Sequence, residues 1–295
     1  MAGTRQILER RRAVEDVGKV THTMETVSAV RYQHYYKRWA GGGQFYDSLA
    51  QLAYLIVTAE QAIEHPLMLD NESDCNAILV IGSDRGLCGA YNSNICHLVE
   101  VHTDMARRFG KKVKIYARGR KVVSYLNNRG VELEAIYNEF AELPTPGEVK
   151  AIADNFIGQY AAGEIGRLSV VYTRFYSPAS QRAQTLVVLP VAELIDDLTT
   201  RATVIWPWEL AFEDFLLSPS AAEIFDGLSA LMVRSSLSAC FLEAAVSEHL
   251  GRVVAMRSAT DNANEMAGDL IREYNRARQS QITAELLEII SGTIT

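Results

Sequence analysis

From Ser220 to Ser291 the chain contains no proline, and three isolated glycines (Gly227, Gly251 and Gly268) are the only glycines in that stretch. Apolar and small residues recur through it at spacings of three and four, beginning Ile224, Leu228, Leu231, Ser235, Ser238, Leu242 and Ala245 and ending Leu270, Tyr274 and Ala277. This is one face of a single helix. The alternation slips once, at two successive spacings of four from Ala245 through His249 to Val253. Such a slip keeps a stripe on one face over a long distance. At 1.5 Å per residue the helix is roughly 105–110 Å long, more than the width of a domain built from the remaining residues. Much of it must project, and its stripe needs a partner helix.

The other end of the chain supplies one. No proline precedes Pro66, and Ile7, Leu8, Val14, Val17, Val20, Thr21, Met24, Val27 and Ala29 fall at near-helical spacing. Gly41-Gly42-Gly43 predicts a break, and a second helical stretch follows from Phe45 to about Ile63. Charge supports the pairing. Residues 1–40 carry eight Lys/Arg against four acids, and residues 218–295 carry six Arg against ten acids. The two ends are electrostatically complementary. The expected architecture is an antiparallel coiled coil of residues 1–65 with 220–295.

Between the ends the period changes. Strand-like runs at 76–82, 112–116, 131–136, 168–173 and 184–191 alternate with helical patterns at 93–109, 119–128 and 146–162. That alternation predicts a Rossmann-like α/β domain over 74–197 with a largely parallel sheet. An irregular return segment, 198–219, carries Trp206, Trp208 and Phe215.

Composition narrows the function. Hydrophobic residues at 48% and charged residues at 22% exclude a disordered chain, and the net charge of −7 argues against a dedicated nucleic-acid binder. The longest mostly apolar stretch, Leu49–Ala59, is interrupted by Gln51 and too short to span a bilayer. No apolar segment follows Met1–Arg5 as in a secretory signal. Cys75, Cys88, Cys96 and Cys240 form no CxxC pair, which suits a reducing cytoplasm.

The most motif-like segment is Gly82-Ser-Asp-Arg-Gly-Leu-Cys-Gly89, placed just after a strand. A glycine-rich strand-to-helix loop can hold phosphate on backbone N–H groups, yet this spacing matches neither the dinucleotide nor the P-loop pattern. Asp84 and Arg85 also suit a tight, locally capped turn. Cys88 with Asp84 or His97 is a conceivable nucleophile and base, although an isolated cysteine more often fills a core. The six histidines show no metal-ligand spacing. No metal, cofactor or catalytic residue is expected.

Three segments carry a family resemblance. Gly18–Ala29 (GKVTHTMETVSA) is similar to the QKITKAMxMVA segment of the gamma subunit of F-type ATP synthases. Ser83-Asp84-Arg85-Gly86-Leu87-Cys88-Gly89 with Asn92 resembles that subunit's SDRGLCGxxN signature. Val253–Asn262 (VVAMRSATDN), Tyr274–Gln279 and Ile282–Ile289 resemble its C-terminal block, in the family's order. The resemblance implies a non-catalytic central-stalk rotor that couples ion transport, of hydrogen ions or Na+, to ATP synthesis or hydrolysis. Its coiled coil would turn inside a ring of three alpha and three beta subunits. Its base would bind epsilon and the c-ring, with no nucleotide or nucleic acid bound. The resemblance places the complex on the cytoplasmic face of the cell's plasma membrane. It also implies rotor–stator contacts at Met24, Arg278, Gln279, Thr283 and Glu285.

The departures are specific. His22 stands where the family has lysine, Thr26 where it has a second methionine, and Gly41–Gly43 interrupt a normally continuous helix. The family's aromatic-x-aromatic-Glu-Pro turn, near its foot contacts, appears as Phe215-Leu-Leu-Ser218-Pro219. These changes suggest a divergent branch, such as a second F-type ATPase from an alternative operon. The residues by themselves leave two other classes open, an enzyme on the α/β domain and a scaffold whose coiled coil recruits a different partner.

Overall fold

The computed structural model describes residues 2–58, 65–201, 218 and 220–292. Twelve elements follow in order: α1 (Ala2–Gly41), α2 (Gly43–Thr58), β1 (Cys75–Ile81), α3 (Tyr91–Arg108), β2 (Lys112–Arg118), α4 (Arg120–Asn128), β3 (Ala135–Ile136), α5 (Pro146–Ala161), β4 (Arg167–Ser177), β5 (Ser180–Leu189), α6 (Val191–Arg201) and α7 (Ala221–Gly292). They divide into two compact units, Met1–Val30 with Arg252–Thr295 and Arg31–Gly251.

The larger unit is built on a five-stranded sheet of order β3-β2-β1-β4-β5. β1 pairs in parallel with β2 and with β4, while β4 and β5 are antiparallel. β1 is a continuous apolar run from residue 77 to 81 (AILVI) because both faces are covered there. Its odd residues, Ala77, Leu79 and Ile81, join the core shared with α2, α5, α6 and α7. Ile78 and Val80 join the core under α3 and α4. α5 begins with Pro146 and a capping box between Thr145 and Glu148.

Three features differ from the reading of the sequence. β4 and β5 form a long hairpin turning at Pro178 and Ala179, so the last strand starts at Ser180 rather than at 184 and runs against the sheet. The helix α6 was not anticipated: it follows β5 after Pro190 with no polar turn to mark it, and it continues past Asp197. α2 buries Leu49, Ala50 and Ala53 in the sheet-side core, so that segment packs with the α/β fold. Most of the 198–219 return segment, with Trp206, Trp208 and Phe215, lies outside the described residues.

Within Ala222–Ala284 one window is apolar enough to cross a membrane, with mean hydropathy 1.3, and 56% of it is buried in the protein. Such burial is what a core helix shows. That 18-residue window is longer than Leu49–Ala59, the stretch the sequence singles out as its longest mostly apolar one. The stripe anticipated at 231, 235 and 238 is displaced by one residue, since Leu231 is 42% exposed while Leu228, Met232, Ser236 and Leu237 are buried.

The smaller unit pairs the first turns of α1 with the last turns of α7. Thr21 Oγ1 and Thr260 Oγ1 lie 2.8 Å apart, and a Cβ built on Gly18 would sit 3.4 Å from Ala263 Cβ. The partner number falls as the α1 number rises, so the pair is antiparallel. Met256, Ala263 and Leu270 are the buried apolar residues described in this part of α7, with half-buried Thr260 and Ala267 between them. Steps of four and three mark a heptad seam.

Candidate functional site

The loop after β1 is a structural junction. Gly82 and Gly119 cross so closely that a Cβ on Gly82 would lie 2.1 Å from Val122 Cγ2, and one on Gly119 would lie 2.4 Å from the Gly82 carbonyl carbon. Gly119 also has φ +103°, so both positions require glycine. The first turn of α4 has no cap of its own, and this loop supplies one. Asp84 Oδ1 accepts from the Arg120 N–H at 3.2 Å, and the Ser83 carbonyl accepts from the Lys121 N–H at 3.0 Å. Asp84 also pairs with the buried Arg118 at 3.4 Å, and Arg118 donates to the Gly82, Ala141 and Glu142 carbonyls.

Ser83 is fully buried and its N–H donates to Asn92 Oδ1 at 3.0 Å. That donor is consumed internally, which removes it from any phosphate cradle. Cys88 is buried, with Sγ among Ser83 Oγ, Asn92 Nδ2 and the Arg85 carbonyl. No imidazole stands among these partners, and His97 is exposed on α3. The Cys88 carbonyl lies 3.1 Å from where a Cβ on Gly251 would sit, and Tyr91 Oη donates to the Ala244 carbonyl at 3.3 Å. The loop and the start of α3 thus hold α7 at Ala244–Gly251. Leu87, at the loop's tip, has φ +63° and is 60% exposed. A strained backbone that displays an apolar side chain suits contact with a partner. Among the described residues, no group of three His, Cys, Asp or Glu could hold a metal.

The sequence reading missed a second cluster, around Glu142. Its Oε2 accepts from Arg31 Nη1 at 2.5 Å and from Tyr35 Oη at 2.8 Å, and its Oε1 faces His249 Nε2 at 2.6 Å. Burial alone would push this carboxyl up. The His249 contact, the Tyr35 hydroxyl and Arg31 outweigh it and hold the group down at about 2. Tyr35 is pushed up to about 12 by burial and by the adjacent carboxylate. Tyr35 also stacks on His249, with ring centroids 5.5 Å apart. One carboxylate therefore ties α1, the segment before α5 and α7 together. Residues 31, 35, 142 and 249 share no sequence period, so no sequence signal could have joined them.

The helix pair departs from the sequence reading in what it buries. The covered α1 positions Gly18, Thr21 and Ser28 are small or polar, whereas Val17, Val20, Val27 and Val30 are 51–64% exposed. Met24 is half-buried beside them. On α7, Arg278, Gln279 and Thr283 are exposed, as are Ile282, Leu286 and Leu287. Arg278 makes no ion pair among the described residues, and Thr283 Oγ1 donates back to the Gln279 carbonyl at 2.9 Å. The side chain of Glu285 and all of Phe215 lie outside the described residues, and Ser218 is exposed.

The chain matches the family model described as ATP synthase over residues 3–294. It is 34% identical to the ATP synthase gamma chain of Rhodopirellula baltica, covering 99% of this chain and 98% of that one. It is 33% identical to that of Synechococcus elongatus, at 99% and 98%. Among solved structures it resembles a chain of the Euglena gracilis mitochondrial ATP synthase OSCP/F1/c-ring assembly, with TM-score 0.64, 20% identity and coverage of 99% and 94%. It also resembles a chain of that enzyme's rotor, with TM-score 0.61, 18% identity and coverage of 95% and 99%. Those two likenesses concern the fold. The whole-length family match and the relatives above 30% identity place this chain in the ATP synthase gamma chain family.

Proposed function

We propose that the chain is the central-stalk rotor of an F-type ATP synthase, a non-catalytic subunit of a membrane-associated complex. The observation that carries this reading is the construction of the helix pair. Its seam is closed by small residues (Gly18, Thr21, Thr260, Ala263), while Val17, Val20, Val27, Ile282, Leu286 and Leu287 stay on the outside. A surface of short apolar side chains with few fixed polar partners can slide within a surrounding sleeve. That sleeve is a ring of three alpha and three beta subunits, with Met24, Arg278, Gln279, Thr283 and Glu285 at its inner wall.

Arg278 is available for a charge-assisted contact with that wall, and each orientation of an asymmetric shaft would favour a different beta conformation. Torque then becomes differential nucleotide affinity. The Ser83–Gly89 loop braces α7 at Ala244–Gly251. By resemblance, Phe215 and Ser218 are the candidate foot contacts with epsilon and the c-ring, and the complex would sit at the cytoplasmic face of the membrane.

Co-expression with the cognate alpha and beta chains tests this reading. A purified complex holding one copy per three alpha–beta pairs, with ATP hydrolysis that needs the chain, is the expected result. A chain that purifies alone and leaves alpha–beta turnover unchanged contradicts it.

A further inference from the structure

The glycine triplet that breaks the first helix opens onto a cavity of about 410 Å³, within the range of small-molecule sites. α1 ends at Gly41 and α2 starts at Gly43, with the Gly42 N–H donating to the Trp39 carbonyl at 3.1 Å. A side chain at Gly42 would crowd the Tyr46 ring at 3.2 Å, so the break itself clears the cavity's rim. Trp39, Tyr46 and Tyr172 supply aromatic walls, and Leu186 and Leu198 supply apolar ones.

The polar lining is unevenly satisfied. Ser236 on α7 is 3% exposed, and its Oγ makes no hydrogen bond among the described residues. Buried hydroxyls ordinarily find a partner. The acids in the wall, Asp47 and Glu243, have contacts of their own, although Glu243 Oε2, enclosed like Ser236 Oγ, makes no hydrogen bond among the described residues. Neither guanidinium in the lining, Arg38 or Arg174, is ion-paired among the described residues; Arg174 lies over the Tyr176 ring at 4.8 Å.

We propose that this cavity binds a small amphipathic anion, with an aromatic or apolar body between Trp39, Tyr46 and Tyr172 and a carboxylate or phosphate head received by Arg38 and Arg174. Two guanidinium forks match such a head group. Aromatic faces match a flat body. The ligand would lie against α1, β4 and α7 at once, at the position where the family's helix is ordinarily continuous.

Isothermal titration of the full-length chain with matched naphthalene probes tests this. 1-Naphthoate or 1-naphthyl phosphate should bind saturably at one site, about tenfold or more tighter than neutral 1-naphthalenemethanol or cationic 1-naphthylmethylammonium. The double variant R38A/R174A should lose about that same factor for the anions and leave the neutral probe unchanged. Ala239→Phe, which fills the cavity from α7, should abolish binding of every probe. If A239F fails to fold, as thermal unfolding would show, the surface charge variant decides alone. Absence of saturable anion binding, equal affinity for the neutral probe, or anion binding unaffected in R38A/R174A would each overturn the proposal.

Discussion

The two halves of α7 are one uninterrupted helix that meets two different packing problems. From Phe225 to Leu250 it buries two adjacent positions per turn, among them Leu228 with Ser229, Met232 with Val233, and Cys240 with Phe241, under a sheet that covers a broad face. From Met256 to Ala277 only one position in three or four is covered, and the residues there are mostly small. A broad face with large side chains fixes a helix in place. A narrow seam of small residues closes against one partner helix and leaves apolar side chains such as Val254, Met266 and Ile271 for another surface. The difference assigns anchoring to the first half and contact to the second.

That contrast can be broken at several points. The largest effect belongs to the anchoring half. Phe225 is fully buried, so Phe225→Ala should cost about 3–5 kcal/mol in denaturant unfolding. A cost below ~1 kcal/mol would mean that the broad face does not anchor. Glu142→Gln comes next. A carboxyl held at about 2 against its ordinary 4.5 stabilises the fold by about 3 kcal/mol above pH 4.5, and that contribution is lost as pH falls through 2. The variant should therefore be destabilised at neutral pH and converge on the parent near pH 2. A constant difference across that range would assign the effect to packing instead.

In the seam, Thr21→Val removes the hydroxyl facing Thr260 and should cost about 1 kcal/mol, with the shape of the pair kept. Smallest in stability is the triple change of Val17, Val20 and Val27 to Ser, expected within about 0.5 kcal/mol per site because all three are exposed. In the assembled complex the same triple variant should impair ATP-coupled turnover. Unimpaired turnover would free that flank of any role.

Much of this was legible in the sequence, for identifiable reasons. The absence of proline after Pro219 and the three-four spacing announced α7, and strand–helix alternation announced the parallel core of the sheet. The motifs at Gly18–Ala29, Ser83–Gly89 and Val253–Ile289 announced the family. What stayed hidden depends on where faces point and on long-range meetings. Valines read as seam residues are exposed because glycine, threonine and serine let α1 approach α7 more closely. Pro190 passes from β5 directly into α6 without a polar turn, so that helix left no boundary to read. Glu142 and His249 meet across 107 positions, a separation that no local pattern encodes. The contact roles of Arg278, Gln279, Thr283 and Glu285 rest on resemblance, and exposure is what the fold adds for the first three.

The central claim is that the helix pair turns while its surroundings stay fixed. Phe109 is 76% exposed at the end of α3, so Phe109→Cys gives an attachment point on the α/β fold. With the alpha and beta subunits immobilised and a bead on that cysteine, addition of ATP should drive unidirectional rotation in three steps per turn. A complex that contains the chain and hydrolyses ATP at the normal rate while the bead stays still would contradict the account.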